Sequence, residues 1–318
     1  MSRPPALLPM PPARIALAGL WLAAGCAGRS TTEVPAGLGA SPAETRTEAM
    51  ADTSRRGLQA TPVPLAADDV DLHEPSPLAA PPAAPPAAPL PGGFVYLREA
   101  APEVAQEMRY RTAFNFVGEP VDGYRAPVCI LTAEAARALA RVDADLARRD
   151  LGLKVYDCYR PQMAVDHFVR WARSGDETMK RGFYPDEPTA TLFRRGYIAT
   201  RSGHTRGSTV DLTLVRRPAA AAVVTQYPDP VAGPLPRCDR DRPERFDDGD
   251  LDMGTAYDCL STRAATAFAG VPAEARRNRE TLRAAMARHG FRNYSKEWWH
   301  FTLRGEPFPR TYHTFPVE

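Results

Sequence analysis

Hydrophobic and polar positions follow two different patterns along the chain, and the change lies near residue 94. Residues 26–93 are rich in Ala, Pro, Ser, Thr and Gly and show no apolar periodicity. Such a segment buries too little apolar surface to offset the entropy of its chain, so we expect a disordered linker that its prolines stiffen. Residues 94–318 carry helical and strand patterns over a length that is ordinary for one domain.

Three stretches of the second part show the apolar spacing of amphipathic helices. Thr132 is the expected N-cap of the first helix, which should end just before Gly152. Pro161 opens the second helix, because proline is tolerated in the first helical turn. The third helix covers residues 271–290 and should stop at its final glycine.

Strands are predicted between these helices, at residues 153–159, 208–215 and 298–303. In the second strand apolar residues alternate with threonines and Asp211, so one face is apolar and the other polar. Helices and strands interleave without regular βαβ repetition, which favours the α+β class: a single compact domain with a small antiparallel sheet flanked by helices. Residues 216–250, rich in Pro, Asp and Arg, are predicted to form a surface insertion.

The N-terminus has the features of an export signal. Arg3 and Arg14 precede an apolar run of about 11 residues, which is too short to span a bilayer, so residues 1–25 are predicted to be a signal peptide. The run ends in "LAAGC", which resembles a bacterial lipobox and makes Cys26 the predicted lipidation site. Because Ala23 stands where leucine is usual, cleavage without lipidation is the alternative.

The cysteine count fits export, and together with the lipobox-like run it predicts a protein of the periplasm or cell envelope that a lipid anchors to a membrane. Apart from Cys26, the chain has Cys129, Cys158, Cys238 and Cys259, an even number suited to an oxidising compartment. We favour the disulfides Cys238–Cys259 and Cys129–Cys158, with other connectivities or free buried thiols as the alternatives. The formal net charge of only +2 predicts no nucleic-acid partner.

Two candidate metal ligands lie in the stretch "RSGHTRGSTVDLTL". His204 lies in a loop bracketed by glycines, which permit backbone shapes that other residues resist. Asp211 lies on the polar face of the strand that follows. A His and an Asp brought together by a loop-to-strand turn would supply two of the three protein ligands of a catalytic zinc.

The stretch "SKEWWHFTL" holds a second pair, Glu297 and His300. On a strand, His300 would supply a third ligand, and Glu297 would lie nearby as a carboxylate that does not bind the metal. A zinc hydrolase needs this combination, because the metal acidifies water and the carboxylate moves its proton. Arg160, where a strand gives way to a helix in "YDCYRP", offers a fixed guanidinium that would stabilise charge on a carbonyl oxygen.

Four motifs occur together: "GEPVDGY", "YDCYRP", "SGHTRGSTVDLTL" and "EWWHF". With these motifs in this order, the chain from about Tyr96 onward resembles the D-alanyl-D-alanine dipeptidases, a branch of the zinc peptidases related to D,D-carboxypeptidases. The resemblance implies one Zn²⁺ per chain at the sheet, with the protein ligands His204, Asp211 and His300. It also implies that Glu297 is the general base and that Arg160 stabilises the oxyanion.

The same resemblance implies three substrate contacts. Tyr110 matches a tyrosine of the family's pocket, Ser202 matches a serine before the zinc-binding histidine, and Asp258 matches an acid that receives the free amine of the substrate. A buried carboxylate paired with an ammonium explains a preference for dipeptides, because an acylated or longer N-terminal side would leave the charge unpaired.

The function that the resemblance implies is that of an exported zinc dipeptidase acting on D-Ala-D-Ala, or a similar D-configured dipeptide, in cell-wall turnover. Cys158 in place of the usual glycine and a longer segment between Leu214 and Asp252 depart from the family pattern. One alternative is a D,D- or L,D-carboxypeptidase that trims peptidoglycan stem peptides, and another is a non-catalytic wall-binding lipoprotein. The sequence predicts neither the preferred dipeptide nor the oligomeric state.

Overall fold

The structure is a computed structural model that describes residues 89–318. The predicted signal peptide at 1–25, the predicted lipidation site Cys26 and the linker up to residue 88 lie outside the described residues. Within residues 89–318, no helix has both the length and the apolar character needed to cross a membrane.

The described part combines helices with two β-sheets, which confirms the predicted α+β class. The α-helices are α1 (Leu97–Ala100), α2 (Ala133–Ala147), α3 (Gln162–Ser174), α4 (Lys180–Phe183) and α5 (Ala273–Arg288). The β-strands are β1 (Phe94–Tyr96), β2 (Ala105–Gln106), β3 (Ile130–Thr132), β4 (Leu151–Asp157), β5 (Thr209–Arg216), β6 (Phe291–Asn293) and β7 (His300–Leu303).

The strands form one small sheet and one larger sheet. β1 and β3 pair antiparallel, and the other five strands form a mixed sheet in the order β2-β4-β5-β7-β6. β2 runs parallel to β4, whereas the remaining neighbours are antiparallel. The three central strands β4, β5 and β7 correspond to the three that the sequence predicts. β2 has only two residues, too few for a periodic pattern to reveal it.

The main core lies where α2 and α5 pack against the five-stranded sheet. Val210, Leu212 and Leu214 of β5 are fully buried in this core, as the alternation predicts. Asp211 lies between them on the opposite face and is only 2% exposed. A carboxylate buried to this degree must be paired or bind a cation, which draws attention to that face of the sheet.

Two predicted element boundaries are wrong. α2 ends at Ala147, and the chain turns through Asp150, whose φ is 56°, into β4. Gly152 therefore lies inside a strand, where a Cβ would meet a neighbouring side chain at 3.2 Å, so it admits close packing and does not end the helix. The last strand begins at His300, because the two residues before it belong to a turn.

Residues 216–250 lie mostly at the surface, as predicted for an insertion, but several side chains anchor the range in the domain. Leu235, Arg245 and Asp248 in this range are 3%, 5% and 1% exposed. Asp248 accepts a hydrogen bond from the guanidinium of Arg109, which is itself buried. A composition rich in Pro, Asp and Arg indicates a surface position, but here opposite charges are buried together and satisfy each other inside the domain.

Candidate metal centre and substrate pocket

Three adjacent strands bring candidate residues into one row. In the strand register Asp157 of β4 lies opposite Asp211 of β5, and Asp211 lies opposite His300 of β7. The register shifts between Val155 and Asp157, a β-bulge of the kind that redirects a side chain at the end of a strand. His204 joins the row from the 3₁₀ turn that precedes β5.

The turn that carries His204 depends on two glycines. Gly207 has a φ of 82°, and a Cβ there would lie 2.2 Å from the ring of Phe94. At Gly203 a Cβ would lie 2.8 Å from the hydroxyl of Thr209. Side chains at either position would displace the turn, so the "SGHTRG" pattern is needed to deliver the histidine to the sheet.

Three side chains converge on one point. The Nε2 atom of His204 lies 3.3 Å from Nδ1 of His300 and 3.3 Å from Oδ1 of Asp211, and the last two atoms are 3.1 Å apart. Among the described residues, Asp211 Oδ1 has no hydrogen-bond partner although it is buried. A tetrahedral zinc with bonds of about 2.0–2.1 Å holds its ligand atoms roughly 3.3 Å apart. The three residues therefore fit a metal ion with one coordination position left open.

Neighbouring groups favour the protonation states in which these three side chains can bind a metal ion. The Nδ1 atom of His204 lies 2.8 Å from the carbonyl oxygen of Cys158, so it carries the proton and Nε2 presents its lone pair to the metal site. Burial lowers the pKa of His300 and keeps that ring neutral. Burial opposes ionisation of Asp211, but its electrostatic and hydrogen-bond interactions with His204 and His300 outweigh burial and hold the pKa of this carboxyl below its usual range.

Glu297 lies beside the three candidate ligands. Its Oε2 atom is 3.5 Å from Nδ1 of His300, and the residue is only 6% exposed. Burial, followed by the charges of Asp211 and Asp258, raises the pKa of Glu297 well above its ordinary value. A carboxylate whose pKa is raised is a stronger proton acceptor, as a general base requires.

The guanidinium of Arg160 is fixed by a carboxylate that the sequence analysis did not single out. Asp157 Oδ2 accepts from Nε of Arg160 at 2.9 Å and lies 2.8 Å from its Nη2 atom. The other oxygen of Asp157 accepts from the hydroxyl of Tyr124 at 2.6 Å. Nη2 of Arg160 lies 3.7 Å from Asp211 Oδ2, so the arginine faces the metal site. The available signal was the acid three residues before the arginine in "YDCYRP".

A second buried carboxylate, Asp258, lies in the same pocket. The hydroxyl of Tyr110 donates to Asp258 Oδ2 at 2.8 Å. Burial, together with the charge of Asp211, raises the pKa of Asp258 to about 7. The neighbouring Tyr257, also missed from the sequence, donates to Asp211 Oδ2 at 3.3 Å and links the two carboxylates.

One pocket of about 310 Å³ collects the predicted site residues. Its lining includes every predicted catalytic, metal-binding and substrate-binding residue: Tyr110, Arg160, Ser202, His204, Asp211, Asp258, Glu297 and His300. Ser202 accepts a hydrogen bond from the backbone of His204 at 3.2 Å. Residues 196–199 and Tyr294 form another part of the wall, and the Tyr294 hydroxyl donates to the Gly196 carbonyl at 2.8 Å. No motif marked this part of the wall.

Both predicted disulfides are present. Cys129–Cys158 and Cys238–Cys259 have S–S distances of 2.02 and 2.08 Å. Each has one half-cystine next to the pocket, since the carbonyl of Cys158 accepts from His204 and Cys259 follows Asp258 in sequence. Covalent links thus adjoin both the metal site and the Asp258 carboxylate.

Comparison with known proteins agrees with this geometry. The family model described as D-ala-D-ala dipeptidase matches residues 91–223 and 244–318. The D-alanyl-D-alanine dipeptidase of Enterococcus faecium is 34% identical over 228 residues, which cover 71% of this chain and 98% of that protein. The enzyme of that name from Streptomyces coelicolor is 35% identical over 227 residues, or 71% and 98%.

A more distant relative gives the same result. The D-alanyl-D-alanine dipeptidase of Escherichia coli (strain K12) is 29% identical over 202 residues, which cover 64% of this chain and 80% of that protein. Both parts of the family match contain predicted ligands, since His204 and Asp211 lie in the first and His300 in the second. The chain belongs to the D-alanyl-D-alanine dipeptidase family of zinc metallopeptidases.

Proposed function

We propose that this protein hydrolyses D-Ala-D-Ala, or a similar D-configured dipeptide, with one Zn²⁺ held by His204, Asp211 and His300. The observation that carries the proposal is the buried Asp258 carboxylate, which Tyr110 holds in the same 310 Å³ pocket as the three candidate ligands. A pocket with a metal-binding set and a desolvated acid suits a small substrate that has both a scissile amide and a free amine.

The protein's own groups have distinct parts in the proposed reaction. Zinc, when bound, supplies a Lewis acid that acidifies water and polarises the scissile carbonyl. Glu297 takes the proton of the attacking water and delivers it to the nitrogen of the leaving amino acid. Arg160, held by Asp157, donates hydrogen bonds toward the carbonyl oxygen as negative charge develops there, and it does so without reorganising.

Asp258 sets the substrate class in this proposal. Its carboxylate accepts the substrate's ammonium group, while the Tyr110 hydroxyl holds one of its oxygens. A substrate whose amine is acylated would leave the charge of Asp258 buried and unpaired, and that costs more than a missing contact at the surface. A dipeptide is therefore preferred to the end of a longer peptide.

The proposed location is the cell envelope. The signal-like residues 1–25, the lipobox-like segment before Cys26 and the proline-rich linker support export with a lipid anchor. The two disulfides of the described part support an oxidising compartment. In this setting the enzyme would act in cell-wall turnover.

The test uses the full chain, purified with zinc, and measures free alanine, of either configuration, released from D-Ala-D-Ala, L-Ala-L-Ala and N-acetyl-D-Ala-D-Ala. We expect release from the free D,D-dipeptide and little from the other two. The matched control is Glu297→Gln, which should bind zinc and release almost nothing. Equal or faster release from the acetylated compound would instead identify a carboxypeptidase, and no release from any compound by the zinc-loaded protein would contradict enzymatic function.

A further inference from the structure

Asp258 has an unusual backbone conformation. Its φ is 58°, and in residues 89–318 only Asp150 shares a positive φ among residues other than glycine. Residues with a side chain rarely adopt this region, and they keep it at a functional site only when the surrounding structure enforces it. The contacts on both sides of Asp258 are therefore of interest.

On the C-terminal side the enforcing contact is covalent. Cys259, which follows Asp258, forms a disulfide with Cys238, and the carbonyl of Cys238 accepts a hydrogen bond from the backbone of Ala256 at 2.9 Å. Cys238 therefore holds the chain both before and after Asp258. It belongs to residues 224–243, which lie between the two parts of the family match. We call this range the inserted segment.

On the N-terminal side the contact is with a carboxylate, Asp248, that forms an ion pair with Arg109. Asp248 accepts from the backbone of Tyr257 at 3.4 Å and from the guanidinium of Arg109. Arg109 directly precedes Tyr110, the residue whose hydroxyl donates to Asp258. Asp248 thus connects the two backbone positions that carry the Tyr110–Asp258 pair.

The inserted segment also reaches this ionic group. Glu107 accepts from Nε of Arg109 at 2.6 Å and from the backbone of Val224, the first residue of the segment, at 2.7 Å. The hydroxyl of Tyr227 lies 3.4 Å from Glu107 as well. The segment is consequently attached near Tyr110 at its start and near Asp258 through Cys238.

We propose that the inserted segment is a positioning element that holds Asp258 and Tyr110 for recognition of the substrate amine. The inference rests on the proposed function, because it concerns how that site selects its substrate. Without the disulfide, Asp258 can relax to a negative φ and move its carboxylate away from Tyr110. The proposed metal ligands lie on β5, β7 and the turn before β5, and this region reaches them through the hydroxyl of Tyr257, 3.3 Å from Asp211 Oδ2. The chemistry of amide cleavage would therefore be affected much less.

The test compares two substrates that differ only in the amine, D-Ala-D-Ala and propionyl-D-alanine, in the full chain and in a Cys238→Ser/Cys259→Ser double variant. In the wild type we expect kcat/KM to favour the substrate with the amine. In the variant this preference should fall by about tenfold, mainly through a higher KM for D-Ala-D-Ala. The value for propionyl-D-alanine should change less than about threefold.

A Cys129→Ser/Cys158→Ser variant is the matched control. Its disulfide adjoins the His204 contact, so both substrates should lose kcat/KM in equal proportion. If the first double variant does not fold, Tyr227→Phe takes its place, because it removes a contact of the segment with Glu107, and it should lower the same preference. Bound zinc and the Tm are measured for every variant.

Three outcomes would overturn the inference. A Cys238→Ser/Cys259→Ser variant that folds and retains the full wild-type preference shows that the segment does not position Asp258. An equal loss on both substrates assigns the disulfide a purely structural role. A wild-type enzyme that is inactive or has no preference for the amine contradicts the proposed function and removes the inference with it, and this outcome is recognised before any variant is made.

Discussion

The pocket has two ends: the metal end, with the proposed ligands His204, Asp211 and His300, and the amine end, with Asp258 and Tyr110. The two ends are stabilised in different ways. His204, Asp211 and His300 belong to the centre of the sheet or to the turn that enters it, where backbone pairing fixes their spacing. Asp258 lies in an irregular segment with a positive φ, and a disulfide and ion pairs hold it. The first arrangement follows from the fold itself, whereas the second needs contacts from distant parts of the chain. Changes at the two ends should therefore differ in kind as well as in size.

The largest effect is expected from His300→Ala. The change removes one of three convergent ligands, so we expect bound zinc to fall well below one per chain and D-Ala-D-Ala hydrolysis to be lost. Metal analysis after dialysis is the measurement. His289→Ala is the control, because this histidine lies near Asp145, outside the pocket, and should retain both metal and activity. Full zinc binding by His300→Ala would contradict the proposed ligand set.

Glu297→Gln should separate chemistry from metal binding. The amide cannot accept the proton of the attacking water, so kcat should fall by about a thousandfold while zinc and substrate still bind. Steady-state kinetics and calorimetric titration of the dipeptide are the measurements. Glu134→Gln, an exposed change on α2, is the matched control. A loss below about tenfold would assign the general base to another group.

Asp157→Asn tests the support of the metal end. The amide would weaken the contacts to Arg160 and His204, so we expect kcat to fall by about a hundredfold with a smaller change in KM. The exposed Asp166→Asn on α3 is the control. An increase in KM with kcat unchanged would place Asp157 in substrate binding and blur the distinction between the two ends.

The smallest effect is expected at the amine end, as a change of kcat/KM for D-Ala-D-Ala with pH. Burial raises the pKa of Asp258 to about 7, so the carboxylate that binds the ammonium is lost as the pH falls below that value. The kcat/KM for D-Ala-D-Ala should rise between about pH 6 and pH 8 relative to that for propionyl-D-alanine, until the substrate amine itself loses its proton.

Asp258→Asn should abolish this relative rise and lower kcat/KM for D-Ala-D-Ala by about ten- to a hundredfold. The same change should leave hydrolysis of propionyl-D-alanine unchanged or faster, because that substrate has no ammonium group to pair with the buried carboxylate. A relative rise with pH that persists in Asp258→Asn would assign the titration to a different group and remove the basis for distinguishing the two ends.

The three side chains that converge at the proposed metal site could be singled out from the sequence, but many of the residues that hold them in place could not. His204 and Asp211 are close in sequence and joined by a glycine-bracketed turn, so a local pattern reveals them. Asp157 acts through Tyr124 and His204, partners 33 and 47 positions away along the chain, and only the tertiary fold brings these together. Its location in "YDCYRP" was visible, but nothing local indicated which atoms it would hold.

Residues 216–250 show what local composition cannot predict. Its composition predicts a solvated surface, yet Asp248 is buried because Arg109, more than a hundred positions earlier, neutralises it. Pairing of distant charges has no signature in a local window. The cysteine pairs could be predicted because four cysteines allow only three connectivities, and the prediction is confirmed.

The two disulfides also imply that the reduced and the oxidised chain differ in how well the pocket is held. A newly made chain in a reducing compartment would carry four thiols in place of these links. The contact of His204 with Cys158 and the enforced geometry of Asp258 would then both lack their covalent support. Full selectivity for the substrate amine would accordingly be reached only after oxidation. Formation of the Cys238–Cys259 disulfide would then be a maturation step for substrate selection.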